Sequence, residues 1–412
     1  MGDTVLDRLA GLAGTRLEPG TDADTIGGIQ PEVVARPDSP GAVAALMAAV
    51  DRAGLTAVVR GAGTKQGWAN PPHACDVVVD VSALSGVLEF SPGDLVVRVA
   101  AGTPLAALQE AVRPAGLRLA VDEVVPGSTV GGVVATGLSG PTRYSLGAVR
   151  DLLIGITVVR ADGVTARSGG KVVKNVAGYD LCKLYTGAYG TLGVVTEATF
   201  RLHPIPEASA FVRAAFADGA TASAAIAAAV SSATVPSAVE VDRGPGGEVT
   251  VCARLDGTGT GVAGRAARLS GAFGPGAEVT GEAPSGWGTL PGPATIRVTA
   301  QIAGVGRLLD AIETVARAHG VPVTVRGSAG SGVLAAGFDP GCGPETAAAL
   351  LADVRRECTA EGGFATLLEA PLSVRAAADA WGPVPGLSLM RQVKSSFDPG
   401  GRLAPGRFVG GI

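Results

Sequence analysis

The chain of 412 residues is 47% hydrophobic and 17% charged, with 62 glycines and a formal net charge of −4. This composition excludes a disordered chain and allows two or three domains of about 150 residues each. No basic run is present, which excludes nucleic acid as a partner. No apolar run reaches the ~18 residues that a membrane span needs, and the N-terminus lacks the pattern of a secretory signal.

The five cysteines and three histidines show no metal-ligand spacing. No cysteine pair has the CxxC pattern, and no histidine has a second histidine or a carboxylate at a ligand distance along the chain. We therefore expect no disulfide framework and no zinc, iron–sulfur or other metal site. Scattered reduced thiols are typical of a cytosolic protein.

The first half of the chain alternates helix and strand patterns. Residues 39–53 predict a helix that Ser39 caps and Pro40 begins. A second helix is expected from Pro104 through Val112. Strands are expected at 56–60, 76–82, 95–102 and 152–163, and 164–168 is expected to form a hairpin with the last of them. Residues 183–204 are expected to begin as a helix and to end as a strand. We expect residues 1–24 as a helical lead-in and 25–205 as one domain with subdomains 25–90 and 91–205.

The pattern changes after a linker at 203–207. The order strand, helix, strand, strand is expected at 209–216, 219–230, 236–242 and 248–254. The same order is expected again at 295–302, 305–319, 321–326 and 331–337. This weak repeat predicts an antiparallel sheet with helices on one face, as in ferredoxin-like α+β domains. We expect a second domain at 206–361, with surface loops at 256–293 and a helix at 344–360. The final segment, 362–412, is expected to be irregular and to rejoin the first domain.

Four glycine-rich segments carry the functional signal. The first begins at Arg60 directly after a strand, where successive N–H groups can surround a diphosphate. No helical pattern follows it, which departs from the Rossmann fingerprint. The second segment, 126–140, has a Gly131-Gly132 pair that would allow close backbone approach to a ligand, and hydroxyls that would donate to it; a helix start followed by a loop is the alternative. The third and fourth segments are YSLGAVRD at 144–151 and GAYGTLGVVTE at 187–197, and each alone could be an ordinary connection.

In this order, RGAGT, PGSTVGG, SLGAVRD and GTLGVVTE resemble the FAD-binding domain of the vanillyl-alcohol oxidase and p-cresol methylhydroxylase superfamily. The resemblance implies an α+β protein in which two α/β subdomains hold an extended FAD, plus a ferredoxin-like cap domain. Thr64 stands where the fold attaches flavin covalently, so non-covalent FAD is implied. The implied cofactor-binding residues are Arg60, Gly61, Ala62, Gly63, Thr64, Pro126, Gly127, Ser128, Thr129, Gly131, Gly132, Thr136, Gly137, Ser139, Gly140, Gly147, Val149, Asp151, Gly190, Gly193, Val194, Val195 and Arg407.

WANPP, KVVKNVAGYD and the tail LMRQVKSSFDPGGRLAPGRF are similar to the E subunit of bacterial glycolate oxidase. That family implies an FAD-dependent oxidoreductase acting on CH–OH donors. It implies a complex with a D-like flavin subunit and an iron–sulfur F-like subunit, which oxidises glycolate or a related 2-hydroxy acid and passes electrons to an acceptor other than nicotinamide. A cytoplasmic location follows, with membrane attachment only through partner subunits. The tail is implied to fold back towards the flavin, and Ala404 replaces the usual Asn there.

Hydride removal from a 2-hydroxy acid requires a cation for the carboxylate and a general base for the hydroxyl. Candidates in family-like segments are Arg143, Tyr144, Lys174, Tyr179 and Arg391, with solvated or ion-paired surface positions as the alternative for each charged side chain. The histidine-rich, metal-associated motif of D-type relatives has no counterpart here, which favours a supporting subunit. A stand-alone FAD dehydrogenase or oxidase, and a scaffold protein that has lost FAD, remain alternatives.

Overall fold

The computed structural model describes residues 4–170 and 179–412, which form two compact units. The first unit contains residues 4–138, 148–170, 179–204 and 383–412, and the second contains 139–147 and 205–382. Among the helices of the described residues, none has both the length and the apolar character that crossing a membrane requires.

The strands are β1 Thr15–Pro19, β2 Val33–Pro37, β3 Ala57–Arg60, β4 Val77–Asp80, β5 Val87–Ser91, β6 Val96–Ala100, β7 Leu117–Arg118, β8 Leu153–Val159, β9 Thr165–Gly169, β10 Val194–Arg201, β11 His203–Pro204, β12 Ala208–Phe216, β13 Ala238–Arg243, β14 Val249–Gly257, β15 Glu278–Thr280, β16 Ala294–Thr299, β17 Val323–Ser328, β18 Val333–Phe338 and β19 Ala365–Glu369. The helices are α1 Val5–Leu9, α2 Pro40–Arg52, α3 Leu105–Val112, α4 Val130–Thr136, α5 Arg143–Leu146, α6 Val149–Leu152, α7 Leu181–Tyr185, α8 Gly219–Ser231, α9 Gly259–Phe273, α10 Val305–His319, α11 Pro344–Ala360, α12 Leu372–Ala377 and α13 Leu387–Phe397.

The first unit contains two main sheets. One has the order β1-β2-β4-β3, with β4 parallel to both of its neighbours and β1 antiparallel to β2. The other has the order β5-β6-β10-β8-β9 and is antiparallel throughout. Helix α2 begins as predicted, because Ser39 Oγ accepts a hydrogen bond from Ala42 N at 3.2 Å and Pro40 lacks an N–H that would need a partner.

One apolar core connects the two sheets of the first unit. It contains Leu46 and Val50 of α2, Val79 of β4 and Val194 of β10, all fully buried. Leu403 of the C-terminal segment belongs to the same core. The backbone of that segment extends the first sheet, since Ala57 N donates to Arg402 O at 2.7 Å and Ala404 N donates to Ala57 O at 2.9 Å.

The second unit is built on one antiparallel sheet with the order β15-β12-β14-β13-β17-β18-β16-β19. The chain runs β12-α8-β13-β14-α9-β15 and then β16-α10-β17-β18-α11-β19, so the same β-α-β-β-α-β unit occurs twice. In both copies the last strand lies beside the first, and the copies meet where β13 pairs with β17. Helices α8 to α11 supply apolar side chains to the core on one face. The predicted ferredoxin-like repeat is confirmed.

Two segments of the second unit are more regular than the sequence predicted. The segment 256–293 was expected to contain surface loops, and it also contains the helix α9, whose buried residues Val262, Ala266, Leu269 and Phe273 lie on one face. Packing does not require Gly264 and Gly271, since a Cβ on either would meet no other atom within 4 Å. The buried apolar face stabilises α9 despite the poor helix propensity of these two residues.

The segment after residue 362 is also more regular than expected. Strand β19 pairs with β16, and this unit therefore continues through Gly382 rather than ending at 361. Helices α12 and α13 follow within the segment that was expected to be irregular.

Candidate functional site

A cleft with about 790 Å³ of space lies within the first unit. One wall is the end of β3 and the glycine loop that follows it, and the other is α4 with the segment leading into β10. Its lining residues are Val59, Gly61, Ala62, Gly63, Thr64, Lys65, Gln66, Val81, Thr129, Gly131, Gly132, Ala135, Thr136, Tyr185, Ala188, Tyr189, Gly190, Gly193, Val195 and Arg407.

The glycine loop presents a row of unpaired donors. None of the N–H groups of residues 61–65 donates a hydrogen bond to any described residue. Gly61 is required because a Cβ would lie 2.3 Å from Thr129 Oγ1, and Gly63 has a φ of +77°. Gln66 closes the loop, since its Nε2 donates to Val59 O at 2.9 Å. No described helix follows the loop, as the departure from the Rossmann pattern predicted.

Arg60 does not line the cleft. Its guanidinium lies 2.8 Å from Asp24 Oδ1 and 3.1 Å from Asp80 Oδ2, and all three side chains are largely buried. Hydrogen bonds from Thr21 and from Arg60 lower the pKa of Asp24 to about 2. Arg60 therefore fixes the end of β3, from which the glycine loop begins.

The second glycine segment is the beginning of a helix, which was the alternative interpretation. Thr129 caps α4, and a Cβ on Gly131 would lie 2.9 Å from Ala101 Cβ, so this glycine allows α4 to pack against the end of β6. Ser128 Oγ donates to Val125 O at 2.6 Å and Thr136 Oγ1 donates to Gly132 O at 2.8 Å. Because a hydroxyl has one hydrogen, these two groups are not the ligand donors that the sequence suggested.

The structure brings only part of the predicted cofactor set to the cleft. The predicted residues that line it are Gly61, Ala62, Gly63, Thr64, Thr129, Gly131, Gly132, Thr136, Gly190, Gly193, Val195 and Arg407. The predicted residues outside the lining are Arg60, Pro126, Gly127, Ser128, Gly137, Ser139, Gly140, Gly147, Val149, Asp151 and Val194. Ser139, Gly140 and Gly147 belong to the second unit. Asp151 instead stabilises the start of α6, where its Oδ2 accepts from Ala148 N at 2.9 Å.

Sequence reasoning missed several lining residues, which are Val59, Lys65, Gln66, Val81, Ala135, Tyr185, Ala188 and Tyr189. Lys65 and Gln66 directly follow the glycine loop in the sequence, and this adjacency was the available signal. The two tyrosines flank Gly187, whereas the residues predicted from this segment were Gly190, Gly193, Val194 and Val195.

The C-terminal segment is fixed to the glycine loop by Arg407. Its guanidinium donates to Gln66 Oε1 at 3.0 Å and to the backbone oxygens of Lys65 and Gln66 at 3.2 and 3.0 Å. Further along the segment, Asp398 accepts from Lys394 Nζ at 2.6 Å. Ala404 has a φ of +42°, a left-handed conformation that Asn adopts more easily than Ala.

Comparisons with known proteins identify the domain that contains the cleft. Residues 31–169 match the family described as "FAD binding domain", and residues 377–408 match "FAD linked oxidases, C-terminal domain". The chain contains an FAD-binding domain. FAD is the cofactor, as the sequence predicted, and the cleft falls largely within the matched residues.

Relatives of the FAD-binding domain include the glycolate oxidase subunit GlcE of Escherichia coli, 39% identical over 158 residues, which is 38% of this chain and 45% of GlcE. The glycolate oxidase subunit GlcD of Bacillus subtilis is 32% identical over 187 residues, 45% of this chain and 40% of GlcD. A mitochondrial D-lactate dehydrogenase [cytochrome] of Saccharomyces cerevisiae is 35% identical over 141 residues, 34% of this chain and 24% of that enzyme. The chain thus matches less than half the length of each relative, and the predicted resemblance to the E subunit is confirmed.

Solved structures confirm the predicted fold class. An alkyldihydroxyacetonephosphate synthase superposes with a TM-score of 0.69 at 17% identity, covering 92% of this chain and 78% of the synthase. The 4-ethylphenol oxidase from Gulosibacter chungangensis gives a TM-score of 0.70 at 15% identity, covering 92% of this chain and 89% of the oxidase. At these identities the likeness establishes the fold alone.

The cleft fits FAD but offers no general base among its described residues. Among the lining residues the ionizable side chains are Lys65, Tyr185, Tyr189 and Arg407, and the lining contains no histidine or carboxylate. Burial raises the pKa of Tyr185 to about 12.

The catalytic candidates do not converge on this cleft. Arg143 and Tyr144 belong to the second unit, where the Tyr144 ring packs against Gly330 and its burial raises the pKa of its hydroxyl. Tyr179 is 93% exposed, and Arg391 donates to Gly410 O at 3.2 Å. None of these four lines the cleft. Lys174 lies outside the described residues.

Proposed function

We propose that this chain is the FAD-binding subunit of a dehydrogenase complex that oxidises a 2-hydroxy acid such as glycolate. In this proposal the chain takes part in electron transfer to an acceptor other than nicotinamide, together with a D-like flavin subunit and an iron–sulfur F-like subunit. The complex is placed in the cytoplasm, with any membrane attachment through its partners. The observation that carries the proposal is a cleft with unpaired backbone donors inside a domain that is 39% identical to GlcE.

The first unit supplies the cofactor site in this proposal. The N–H groups of residues 61–65 surround the diphosphate, and the segment from Tyr185 to Val195 encloses the rest of the cofactor. FAD is held without a covalent bond, so acid precipitation of the protein releases it into the supernatant. When bound, FAD supplies the redox chemistry of the reaction.

Two arginines that line a cleft of the second unit support a shared rather than a self-contained substrate site. A cleft of about 630 Å³ in that unit is lined by Arg213 and Arg326. Arg326 Nη2 lies 2.7 Å from Asp242 Oδ2, and Arg213 Nη2 lies 2.6 Å from Glu278 Oε2. Guanidinium groups that already have carboxylate partners are poorly suited to bind a substrate carboxylate. A partner subunit is therefore the better source of substrate contacts.

Co-expression tests the complex. The chain is produced with D-like and F-like partners, and glycolate-dependent reduction of an artificial acceptor is measured with and without it. We expect a stable complex whose activity is lost when the chain is omitted. Full activity of the partners alone would refute the proposed role. G61A, which obstructs the cleft, should reduce activity, whereas G264A on the solvent side of α9 is the matched control.

The second candidate function is a stand-alone 2-hydroxy acid dehydrogenase, which the similarity to a D-lactate dehydrogenase favours. Anaerobic addition of glycolate or lactate to the purified chain distinguishes the two. Bleaching of the flavin absorbance by the chain alone supports the second candidate. An unchanged flavin spectrum that bleaches only after the partners are added supports the first. A folded protein that takes up no FAD contradicts both.

A further inference from the structure

Lys65 is a buried cation beside the cleft. Its residue is only 7% exposed, and its Nζ donates to Ser128 Oγ at 2.6 Å and to Thr64 Oγ1 at 3.1 Å. No carboxylate oxygen of a described residue lies within ion-pair distance of this Nζ. The hydroxyl of Ser128 is oriented by its own bond to Val125 O, so it presents a lone pair to the ammonium.

A buried ammonium without a carboxylate partner is unfavourable, because its lost hydration is not replaced by an opposite charge. Burial lowers the pKa of Lys65 to about 8, with a smaller opposing effect from Glu123. The Glu123 carboxylate is itself engaged by Gly127 N at 2.9 Å. The fold therefore holds a positive charge at the cleft wall with no carboxylate of the described residues paired to it.

The same loop holds the unpaired backbone donors. Lys65 follows Thr64 at the end of this loop, and its own N–H is one of the five that donate to no described residue. A Cβ on Gly132, in the opposite wall, would lie 3.8 Å from Lys65 Nζ, so the ammonium reaches across to the start of α4. Backbone donors and a cation that face one cleft are the usual components of a phosphate site.

We propose that the Lys65 ammonium neutralises the diphosphate of FAD together with the N–H groups of residues 61–65, and that it makes the retention of FAD depend on pH. This inference rests on the FAD site proposed above and adds the residue that carries its charge. Arg407 has a different task, because its guanidinium is used to hold the backbone of Lys65 and Gln66.

Lys65 has four other charged or titratable groups around it. They are Glu123 on the preceding loop, Arg407 on the C-terminal segment, and Tyr185 and Tyr189 in the opposite wall. Arg407 remains a guanidinium cation at all accessible pH values. Tyr185 has a pKa of about 12 and stays neutral. Lys65 is the group whose charge changes near pH 8.

The test measures FAD binding to the apoprotein of the full chain and its variants. K65M should weaken FAD binding by about 10- to 100-fold, the loss expected for a charge-assisted hydrogen bond. Riboflavin, which lacks phosphate, should bind both proteins equally. Inorganic pyrophosphate should compete with FAD in the wild type and not in K65M. K65R should retain most of the affinity, and K183M, at an exposed lysine of α7, is the matched control.

The pH profile provides a measurement that does not require K65M to fold. Wild-type FAD affinity should fall by about tenfold between pH 7 and pH 9, because about a tenth of the free protein then carries the ammonium. K65R should show a flat profile. Equal FAD binding by K65M, or equal loss of riboflavin and FAD, would overturn the assignment of Lys65. A wild type that binds no FAD would instead refute the proposed function.

Discussion

Replacement of Lys65 by methionine should stabilise the apoprotein while it weakens cofactor binding. Methionine has a similar length and no charge, so K65M removes the buried ammonium and retains the packing of its stem. Ser128 keeps a partner in the variant, since its hydroxyl donates to Val125 O. The variant thus separates the stability cost of the charge from its benefit to the ligand.

The size of the effect follows from the pKa of Lys65, which burial lowers from 10.5 to about 8. The unfolded chain binds this proton more tightly than the folded apoprotein does, so the charge destabilises the fold. This difference in pKa lowers the free energy of unfolding by about 3 kcal/mol at all pH values below 8. The penalty decreases as the pH rises from 8 towards 10.5, because the folded lysine is then neutral, and it should be about 1 kcal/mol at pH 9.5.

Equilibrium urea unfolding of the apoproteins at pH 7 and pH 9.5 measures this difference. We expect K65M to be more stable than the wild type by up to about 3 kcal/mol at pH 7, with the advantage more than halved at the higher pH. K183M should match the wild type at both values. An advantage that does not change with pH, or a K65M that is less stable at pH 7, would refute the reasoning.

The remaining predictions concern the backbone that shapes the cleft. D398N should lower the free energy of unfolding by about 3–5 kcal/mol, because it leaves the Lys394 ammonium without its buried carboxylate, and unchanged urea unfolding would contradict this. G61A should weaken FAD binding by about tenfold or more, since its Cβ would lie 2.3 Å from Thr129 Oγ1. In titrations with FAD, the double variant G61A/T129A should recover part of that loss, and no recovery would argue against a steric cause. A404G should raise stability by about 0.5–1 kcal/mol in thermal unfolding, because glycine accepts the left-handed φ of +42° at less cost, and a lower melting temperature would show that this backbone is unstrained.

The sequence by itself determined the local elements and the identity of the cofactor-binding loop. Ser39 and Pro40 specify the start of α2, and the order of strand and helix patterns predicted the repeated unit of the second half. Gly63 is predictable as a loop residue because its φ is +77°, a left-handed conformation that residues with a Cβ rarely adopt. These features depend on neighbours along the chain, and sequence patterns report such neighbours directly.

Tertiary structure alone decided which side chains face the cleft and which only support it. Arg60 precedes the glycine loop, yet Asp24 and Asp80 draw its guanidinium away from the lining. Gly131 allows α4 to pack closely against Ala101. The sequence pattern alone does not distinguish a glycine needed for this packing from one needed for close approach to a ligand. Nothing in the sequence distinguishes Lys65 from an ordinary surface lysine. Its charge is buried because Ser128 and α4 cover it in the folded chain. Burial and the absence of a counter-ion are properties of the folded surroundings, which residues far apart in the chain create together.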